Sequence, residues 1–170
     1  MSSAKDQLHL RQPTATDGAN LFELVAQCPP LDGNSMYCNL LQCSHFADTS
    51  VAAETDGELV GFISAYRVPE RRDTLFVWQV AVGASARGRG LASRMLAHIV
   101  ERPACRDIRW LETTITPDNR ASHALFQRFA SAFHAGLEQQ VLFERERHFR
   151  GSHDSELLTR IGPLQRATAA

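Results

Sequence analysis

The sequence predicts an α/β fold in which a sheet carries helices on both faces. Segments rich in strand-forming residues alternate along the chain with segments whose apolar residues recur at helical spacing. Thr74 to Val82 is apolar on both faces, which is typical of a strand in the middle of a sheet. A chain of 170 residues suits one domain with one core. We therefore expect a single domain over residues 1–170, with residues 1–7 flexible and residues 162–170 forming a tail.

The first half of the chain predicts two helices and a hairpin. The elements are, in order, a strand at 8–11, a helix after Thr14 or Thr16-Asp17 that ends at Cys28-Pro29-Pro30, a helix capped by Asn34 or Ser35, and strands at 50–54 and 58–68. Thr55-Asp56-Gly57 joins the two strands as a turn. The second helix has Tyr37, Leu40 and Leu41 on its apolar side.

The second half alternates strands and helices. A loop bracketed by Pro69 and Asp73 precedes the strand at 74–82. The later elements are an apolar-periodic helix from Leu91 to near Pro103, a strand at 108–115, a helix begun by Pro117-Asp118-Asn119, and strands at 139–143 and 157–161. A polar, charged loop at 144–155 separates the last two strands.

Composition excludes several classes of function. Lys and Arg total 18 and Asp and Glu total 19, so no excess charge favours binding to nucleic acid or to a membrane surface. No apolar run is long enough to span a bilayer, and Met1 to His9 lacks the apolar core of a signal peptide. The four cysteines form no CxxC pair, so we expect reduced thiols, a cytoplasmic location and no metal.

One stretch carries a chemical motif. From Gln79 to Ala92, a buried strand enters a basic, glycine-containing turn and then an amphipathic helix. The first amides of a helix attract anions, and glycines let the backbone approach a pyrophosphate. A Walker loop would require Gly-Lys-Ser/Thr, and a dinucleotide fingerprint would require glycine at Ser93. The alternative is a turn that binds no ligand and carries two solvated arginines, Arg87 and Arg89.

This stretch resembles the R/Q-x-x-G-x-G/A signature of the GCN5-related N-acetyltransferase (GNAT) family. The matching residues are Arg87, Gly88, Arg89, Gly90, Leu91 and Ala92. The resemblance implies a mixed, largely antiparallel sheet, splayed between its fourth and fifth strands, and acetyl-CoA as cosubstrate. It also implies that the turn binds the pyrophosphate of coenzyme A, while the strand residues Val80, Ala81 and Val82 pair with pantetheine.

A later segment is similar to the family's N-x-x-A-x-x-x-Y element, which borders the coenzyme. Asn119, Ser122 and Phe126 occupy its defined positions. Phe126 stands where many members place a tyrosine that protonates the leaving thiolate, and phenylalanine cannot donate a proton. A thiolate with a pKa of about 8.5 can leave without an acid, so the change does not imply loss of activity.

Longer strings resemble one branch of that family, the L-2,4-diaminobutyrate acetyltransferases of ectoine biosynthesis. These strings are residues 28–38, 45–49, 73–82, 111–117 and 151–156. The resemblance implies transfer of acetyl to the 4-amino group of L-2,4-diaminobutyrate, giving N4-acetyl-L-2,4-diaminobutyrate and CoA. It further implies a cytoplasmic homodimer that serves osmoprotection.

Four residues are candidates for binding this diamino acid. Asp32 is a candidate ammonium partner, although it could equally be a carboxylate flanking a helix N-cap. Glu156 and His153 lie near the late loop, where the alternative is ordinary solvation. Trp78 lies beside the expected acetyl position and is a candidate for choosing which amine reacts. Core packing is the more usual role of a strand tryptophan.

Catalysis requires that the substrate ammonium lose a proton before it attacks the thioester. Glu112, on the strand at 108–115, is the candidate acceptor, directly or through water. The alternative is a structural pair with an arginine such as Arg109 or Arg89. The amide near Val80 would polarise the thioester carbonyl, and no cysteine is needed as a nucleophile. Two other functions stay open: acetylation of another small amine, and a non-catalytic acetyl-CoA sensor.

Overall fold

The computed structural model describes residues 7–166, which contain seven strands and four α-helices. The elements are β1 (His9–Arg11), α1 (Gly18–Ala26), α2 (Met36–Ser44), β2 (Val51–Thr55), β3 (Glu58–Val68), β4 (Arg71–Val82), α3 (Leu91–Glu101), β5 (Trp110–Ile115), α4 (Arg120–Ala132), β6 (Gly136–Phe143) and β7 (Glu156–Gly162). The strand order is β1-β2-β3-β4-β5-β7-β6. β4 and β5 are parallel, whereas β2 pairs antiparallel with β1 and β3, and β7 with β5 and β6. The predicted fold class, a mixed and largely antiparallel sheet, is confirmed.

The described residues form two compact units. The first contains the described residues up to Tyr66 together with Gln79–Arg106. The second contains Arg67–Trp78 together with the described residues from Asp107 onward. One boundary between the units falls inside β3 and another inside β4, so each of these strands contributes residues to both units. The expectation of a single domain over residues 1–170 stays a prediction.

In the first unit, helices cover both faces of the strands. Leu21, Leu24 and Val25 of α1 pack in a buried cluster with Ala52 and Phe62. The neighbouring strand positions point to the opposite face, where a Cβ added to Gly61 would lie 3.0 Å from Leu91 and 3.2 Å from Met95 of α3. Glycine at this position therefore lets α3 approach the sheet closely.

The second helix is oriented differently from its apolar pattern. Ser35 accepts a hydrogen bond from the Cys38 amide and caps α2, as one of the two predicted caps. The buried residues are Asn39, Gln42 and Cys43, while Tyr37 is 70% exposed and Leu40 37% exposed. Leu40 instead packs at its edge against Gly18, where a Cβ would lie 2.5 Å from Leu40 Cδ2. The inner side of α2 is thus mostly polar.

In the second unit, α4 packs on a strand group formed by β5, β6 and β7. His123 of α4 hydrogen-bonds Gln139 of β6, which donates to Thr159 of β7. Pairing of β4 with β5 covers Thr74–Val77; Trp78 also belongs to the second unit, and Gln79–Val82 belong to the first. The expected splay between the fourth and fifth strands stays a prediction.

Several predicted boundaries differ from the structure. β4 begins at Arg71, so the loop expected between Pro69 and Asp73 is wrong and only Pro69 and Glu70 separate β3 from β4. Gly162, expected in the tail, is the last residue of β7. The amide of Leu164 then donates to Arg109 O, so the described part of the tail is bonded to the fold. Residues 1–6 of the expected flexible N-terminus and 167–170 of the tail lie outside the described residues.

Candidate functional site

The backbone at the start of α3 has a conformation that suits anion binding. Gly88 and Gly90 have φ of +74° and +69°, in the left-handed region that favours glycine. A Cβ added at either position would meet no atom within 4 Å, so the backbone conformation and not crowding requires glycine there. Gly90 is the N-cap of α3 and has no side chain with which to cap the first amides of the helix. These amides carry the positive end of the helix dipole.

The strand that leads into this turn is fixed by two side chains. The Val82 carbonyl accepts hydrogen bonds from Arg87 Nε at 3.1 Å and from the Cys28 thiol at 3.4 Å. The Gly83 amide donates to Val60 O at 2.8 Å. Ala81 is buried with a 1% exposed fraction, while Val80 and Val82 are half-buried. The predicted coenzyme residues from Val80 to Ala92 therefore lie together as a buried strand end, an exposed basic turn and a helix start.

This geometry fits the diphosphate of coenzyme A. The backbone amides that open α3 supply donors, and Arg87 and Arg89 are exposed on the turn that precedes them. Leu91 is buried and anchors the first turn of α3 in the core. Whether residues 80–92 contact the coenzyme stays a prediction that this geometry supports.

Asp32 lies in the α1–α2 connection (residues 27–35). It is exposed, and its backbone carbonyl accepts a hydrogen bond from Gln79 Nε2 at 3.0 Å. Gln79 Oε1 also accepts from Asn34 Nδ2 at 3.4 Å. No motif in the sequence marks Gln79 as a site residue, although it stands inside the string 73–82 that resembles the diaminobutyrate enzymes.

In the second unit, Glu112 is the centre of a buried charge cluster. Its side chain is 2% exposed and pairs with both Arg71 and Arg160. Arg71 Nη2 donates to Glu112 Oε2 at 2.9 Å. The guanidinium of Arg160 also lies over the Trp110 ring, 4.1 Å from its centroid. We refer to Arg71, Glu112 and Arg160 as the Glu112 cluster.

The cluster makes Glu112 a weak proton acceptor. Burial alone would raise the pKa of this carboxyl, but hydrogen bonds and charge from Arg71 and Arg160 outweigh it and the pKa lies below its ordinary value. A carboxylate held by two guanidinium groups binds a proton less readily than a free one. Its arginine partners are Arg71 and Arg160 and not the expected Arg109 or Arg89. Proton acceptance by Glu112 stays a prediction.

The sequence could not identify these two partners. Arg160 faces Glu112 directly across the β5–β7 register, and a register is set by the folded sheet. Arg71 reaches Glu112 from the start of β4, although Phe76 is the β4 residue that pairs with Glu112 in the register. Only the unusual position of a carboxylate inside a strand signalled that such partners exist.

The predicted site residue Asn119 caps the start of α4. Asn119 is the N-cap, and its Oδ1 accepts from the Ser122 amide at 3.1 Å. Phe126 is 2% exposed and belongs to the core. The structure brings these three residues together on one helix, and a coenzyme contact there stays a prediction.

The β6–β7 loop (residues 144–155) is extensively bonded. Arg145 pairs with Asp154 at 2.8 Å, its amide donates to Ser155 Oγ, and its carbonyl accepts from the Gly151 amide. The His153 ring packs on Phe149 with centroids 4.7 Å apart. His153 Nε2 lies 3.9 Å from Glu156 Oε1. Glu156 is the first residue of β7, so the two predicted substrate residues are adjacent at the end of this loop.

Trp78 is 43% exposed, although it lies within a long strand. The usual alternative for a strand tryptophan, complete core packing, therefore does not hold here. Contact with the diamino acid stays a prediction.

The remaining chemistry of the described residues is limited. Burial raises the pKa of Cys43 to about 12, which leaves its thiol protonated and unreactive at neutral pH. Cys28 and Cys105 are also buried. Among residues 7–166, no group of three or more His, Cys, Asp or Glu side chains could hold a metal ion. No helix in the same range has both the length and the apolar character to cross a bilayer.

A family profile and proteins with similar sequences agree on the family of this chain. The Acetyltransferase (GNAT) family profile matches residues 19–130. An L-2,4-diaminobutyric acid acetyltransferase from Methylotuvimicrobium alcaliphilum is 55% identical over 94% of this chain and 93% of its own length. One from Chromohalobacter salexigens is 49% identical over 97% of this chain and 86% of its own length.

Solved structures with a similar fold are also N-acetyltransferases. Diaminobutyrate acetyltransferase EctA from Paenibacillus lautus, solved in complex with its substrate L-2,4-diaminobutyric acid and coenzyme A, has a TM-score of 0.90 and 39% identity, covering 96% of this chain and 99% of that one. The ribosomal-protein-S18-alanine N-acetyltransferase of Escherichia coli has a TM-score of 0.73 at 14% identity, covering 95% of this chain and 96% of its own, and shares the fold.

Proposed function

The chain belongs to the acetyltransferase (GNAT) family, and we propose that it transfers the acetyl group of acetyl-CoA to the 4-amino group of L-2,4-diaminobutyrate. The products are N4-acetyl-L-2,4-diaminobutyrate and CoA, and the reaction belongs to ectoine biosynthesis. The observation that carries this proposal is the 55% identity, over almost the whole chain, to a relative that bears the name of this activity. The glycine-bounded start of α3 supplies the matching chemistry, because it can bind the diphosphate of the cosubstrate.

The geometry of the first unit supports the proposed coenzyme contacts. The opening amides of α3 bind the pyrophosphate, with Arg87 and Arg89 adding positive charge. The half-buried strand end from Val80 to Val82 pairs with pantetheine in the manner of an added strand. The amide near Val80 polarises the thioester carbonyl and stabilises the oxyanion that forms on attack.

The amine attacks the thioester directly and no acyl-enzyme forms. An alkyl ammonium with a pKa of about 10 is neutral only about once in a thousand molecules at pH 7, so the site must remove a proton. A water chain is the better supported route, because the carboxylate of Glu112 is paired with two arginines. The thiolate leaves without an acid, since Phe126 cannot donate a proton.

The variant Glu112→Gln decides between these routes. Loss of a general base lowers kcat by about a hundredfold or more. A purely structural role predicts the same moderate change in activity and melting temperature as Arg71→Leu, which removes one of the two arginine partners of Glu112. Equal behaviour of the two variants would eliminate Glu112 as the proton acceptor.

Four side chains are the proposed contacts of the diamino acid. Asp32 and Glu156 offer carboxylates to its ammonium groups, and His153 lies beside Glu156. Trp78, which is partly exposed, is the fourth proposed contact. Glu156→Ala is expected to raise the KM for diaminobutyrate or to lower turnover, and wild-type kinetics would remove Glu156 from the substrate contacts.

An amine panel tests the activity itself. Thiol release from acetyl-CoA is followed with diaminobutyrate, ornithine, lysine and a polyamine. The proposal expects the highest kcat/KM for diaminobutyrate. Turnover of another amine at an equal or higher rate would favour acetylation of a different small molecule. Tight binding of acetyl-CoA without amine-dependent thiol release would favour a sensor.

We also propose that the protein is a cytoplasmic homodimer that serves osmoprotection. Strand β6 is at the edge of the strand order, and its residues Val141, Leu142 and Phe143 are exposed. An exposed apolar edge strand favours pairing with another chain. Light scattering on the purified protein measures its mass. A monomer at micromolar concentration would contradict the dimer.

A further inference from the structure

The amide of Gln79 connects β4 to the α1–α2 connection at two points. Its Nε2 donates to the Asp32 carbonyl at 3.0 Å, and its Oε1 accepts from Asn34 Nδ2 at 3.4 Å. Asp32 and Asn34 are two residues apart, so one side chain contacts both sides of Gly33. Gln79 is half-buried and directly precedes Val80, the first strand residue proposed to pair with pantetheine.

The chemistry of both partners requires an amide at position 79. A backbone carbonyl can only accept a hydrogen bond, so the NH2 end of Gln79 must face Asp32. The oxygen end is then the part that accepts from Asn34. A glutamate would lose the donor, and a leucine would lose both functions.

The α1–α2 connection needs such a contact because it is exposed. Its start is bonded by the Leu31 amide to Cys28 O, and its end is the N-cap Ser35. Asp32 and Gly33 between them are exposed, and a Cβ added to Gly33 would meet no atom within 4 Å. Exposed connections with few packing contacts move more than the elements they join.

We infer that Gln79 is a positioning residue that sets amine selectivity through Asp32, an inference that rests on the proposed function. By bonding the Asp32 backbone to β4, Gln79 fixes the distance between a carboxylate that binds an ammonium group and the strand end that binds the thioester. A diamino acid with one more methylene then places its reacting nitrogen poorly. Misplacement of this kind lowers the rate. Enzymes commonly discriminate between two substrates that differ by one methylene by about 10- to 200-fold.

Gln79→Leu in the full chain tests this, with Gln27→Leu as the matched control. Gln27 is an exposed glutamine at the end of α1 in the same connection. We expect Gln79→Leu to raise the KM for diaminobutyrate about tenfold and to lower the preference for diaminobutyrate over ornithine about tenfold. The KM for acetyl-CoA and the melting temperature should stay near wild type. Gln27→Leu should change none of these.

A second background separates positioning from general packing. If Gln79 acts through Asp32, adding Gln79→Leu to Asp32→Ala should change the KM for diaminobutyrate by less than about twofold, because the positioned carboxylate is already absent. A full additional effect in that background would overturn the inference. Gln79→Glu keeps the size and the acceptor but not the donor, so it tests the same contact if the leucine variant folds poorly. It should also raise this KM.

Failure of the inference is distinguishable from failure of the proposed function. If the wild-type protein shows no thiol release with diaminobutyrate, the proposed function fails. If wild type turns over diaminobutyrate but Gln79→Leu and Gln79→Glu keep its KM and its preference over ornithine, only the role of Gln79 is lost.

Discussion

The start of α3 and the Glu112 cluster are two polar sites built in opposite ways. The first is made by the backbone of consecutive residues, with Gly88 and Gly90 at positive φ and the helix amides beyond them. The second is made by side chains from three strands, and Arg71, Glu112 and Arg160 are far apart in sequence. A backbone site depends on local conformation, whereas a side-chain site depends on sheet register. Substitutions should therefore damage the two sites in different ways.

The largest expected effect is at Gly90. Gly90→Val places a branched side chain at φ +69°, which costs about 2 kcal/mol of stability. It also distorts the amides proposed to bind the pyrophosphate. We expect the dissociation constant for acetyl-CoA, measured by calorimetry, to rise at least about tenfold.

Gly57 provides the matched control for this substitution. It lies in the β2–β3 turn with φ +83°, so Gly57→Val carries a similar backbone strain away from the proposed ligand. Both variants should lose stability, and only Gly90→Val should lose affinity. Equal affinity of the two variants would remove the start of α3 as the coenzyme site.

The next effect is on the stability supplied by the Glu112 cluster. Glu112→Gln keeps the shape of the side chain but removes its charge, and we expect a loss of about 2 kcal/mol in the free energy of unfolding at pH 7. The exposed pair of Arg67 with Asp107 is the comparison, because the Asp107 side chain is 70% exposed. Asp107→Asn should lower the free energy of unfolding by less than about 0.5 kcal/mol. Urea titration of both variants and wild type measures these changes.

The contribution of Glu112 should also depend on pH. Its pKa in the folded protein lies below the ordinary value, so its charged form stabilises the fold above about pH 4.3, the pKa of an unfolded glutamate. This stability is lost as the pH falls through the lowered pKa. The difference between wild type and Glu112→Gln should therefore shrink in acid. A difference that grows in acid would contradict the assignment.

The smallest effect compares two helix caps. Ser35 caps α2 and Asn119 caps α4, each accepting a hydrogen bond from a backbone amide. Ser35→Ala and Asn119→Ala should each cost about 1 kcal/mol of stability. Only Asn119→Ala should also raise the KM for acetyl-CoA, since Asn119 is predicted to border the coenzyme. Unchanged kinetics in both variants would leave Asn119 with capping as its sole role.

These two kinds of site also differ in how far the sequence predicts them. The turn from Arg87 to Gly90 and the caps Ser35 and Asn119 follow from short-range rules, and the structure has them where the sequence predicts them. The hairpin turn at Asp56 and Gly57 is likewise local. The partners of Glu112 are not local, because Arg160 is opposite Glu112 only once β5 and β7 have paired.

Two further features depend on tertiary packing. The apolar pattern of α2 marks Tyr37 and Leu40, but the folded helix buries Asn39 and Gln42 in their place. The amide contacts of Gln79 require the α1–α2 connection to lie against β4, which no pattern along the chain encodes. Apolar periodicity predicts that a helix forms more reliably than it predicts which side of the helix is buried.

The bonding of Arg145 has a consequence for proteolysis. The exposed β6–β7 loop contains Arg145, Arg147 and Arg150, and trypsin cleaves after arginine in segments that can extend into its cleft. The amide and carbonyl of Arg145 are bonded to Ser155 and Gly151, and its side chain to Asp154. The loop must break these bonds before it can be cut, so the rate of digestion measures how often this segment opens.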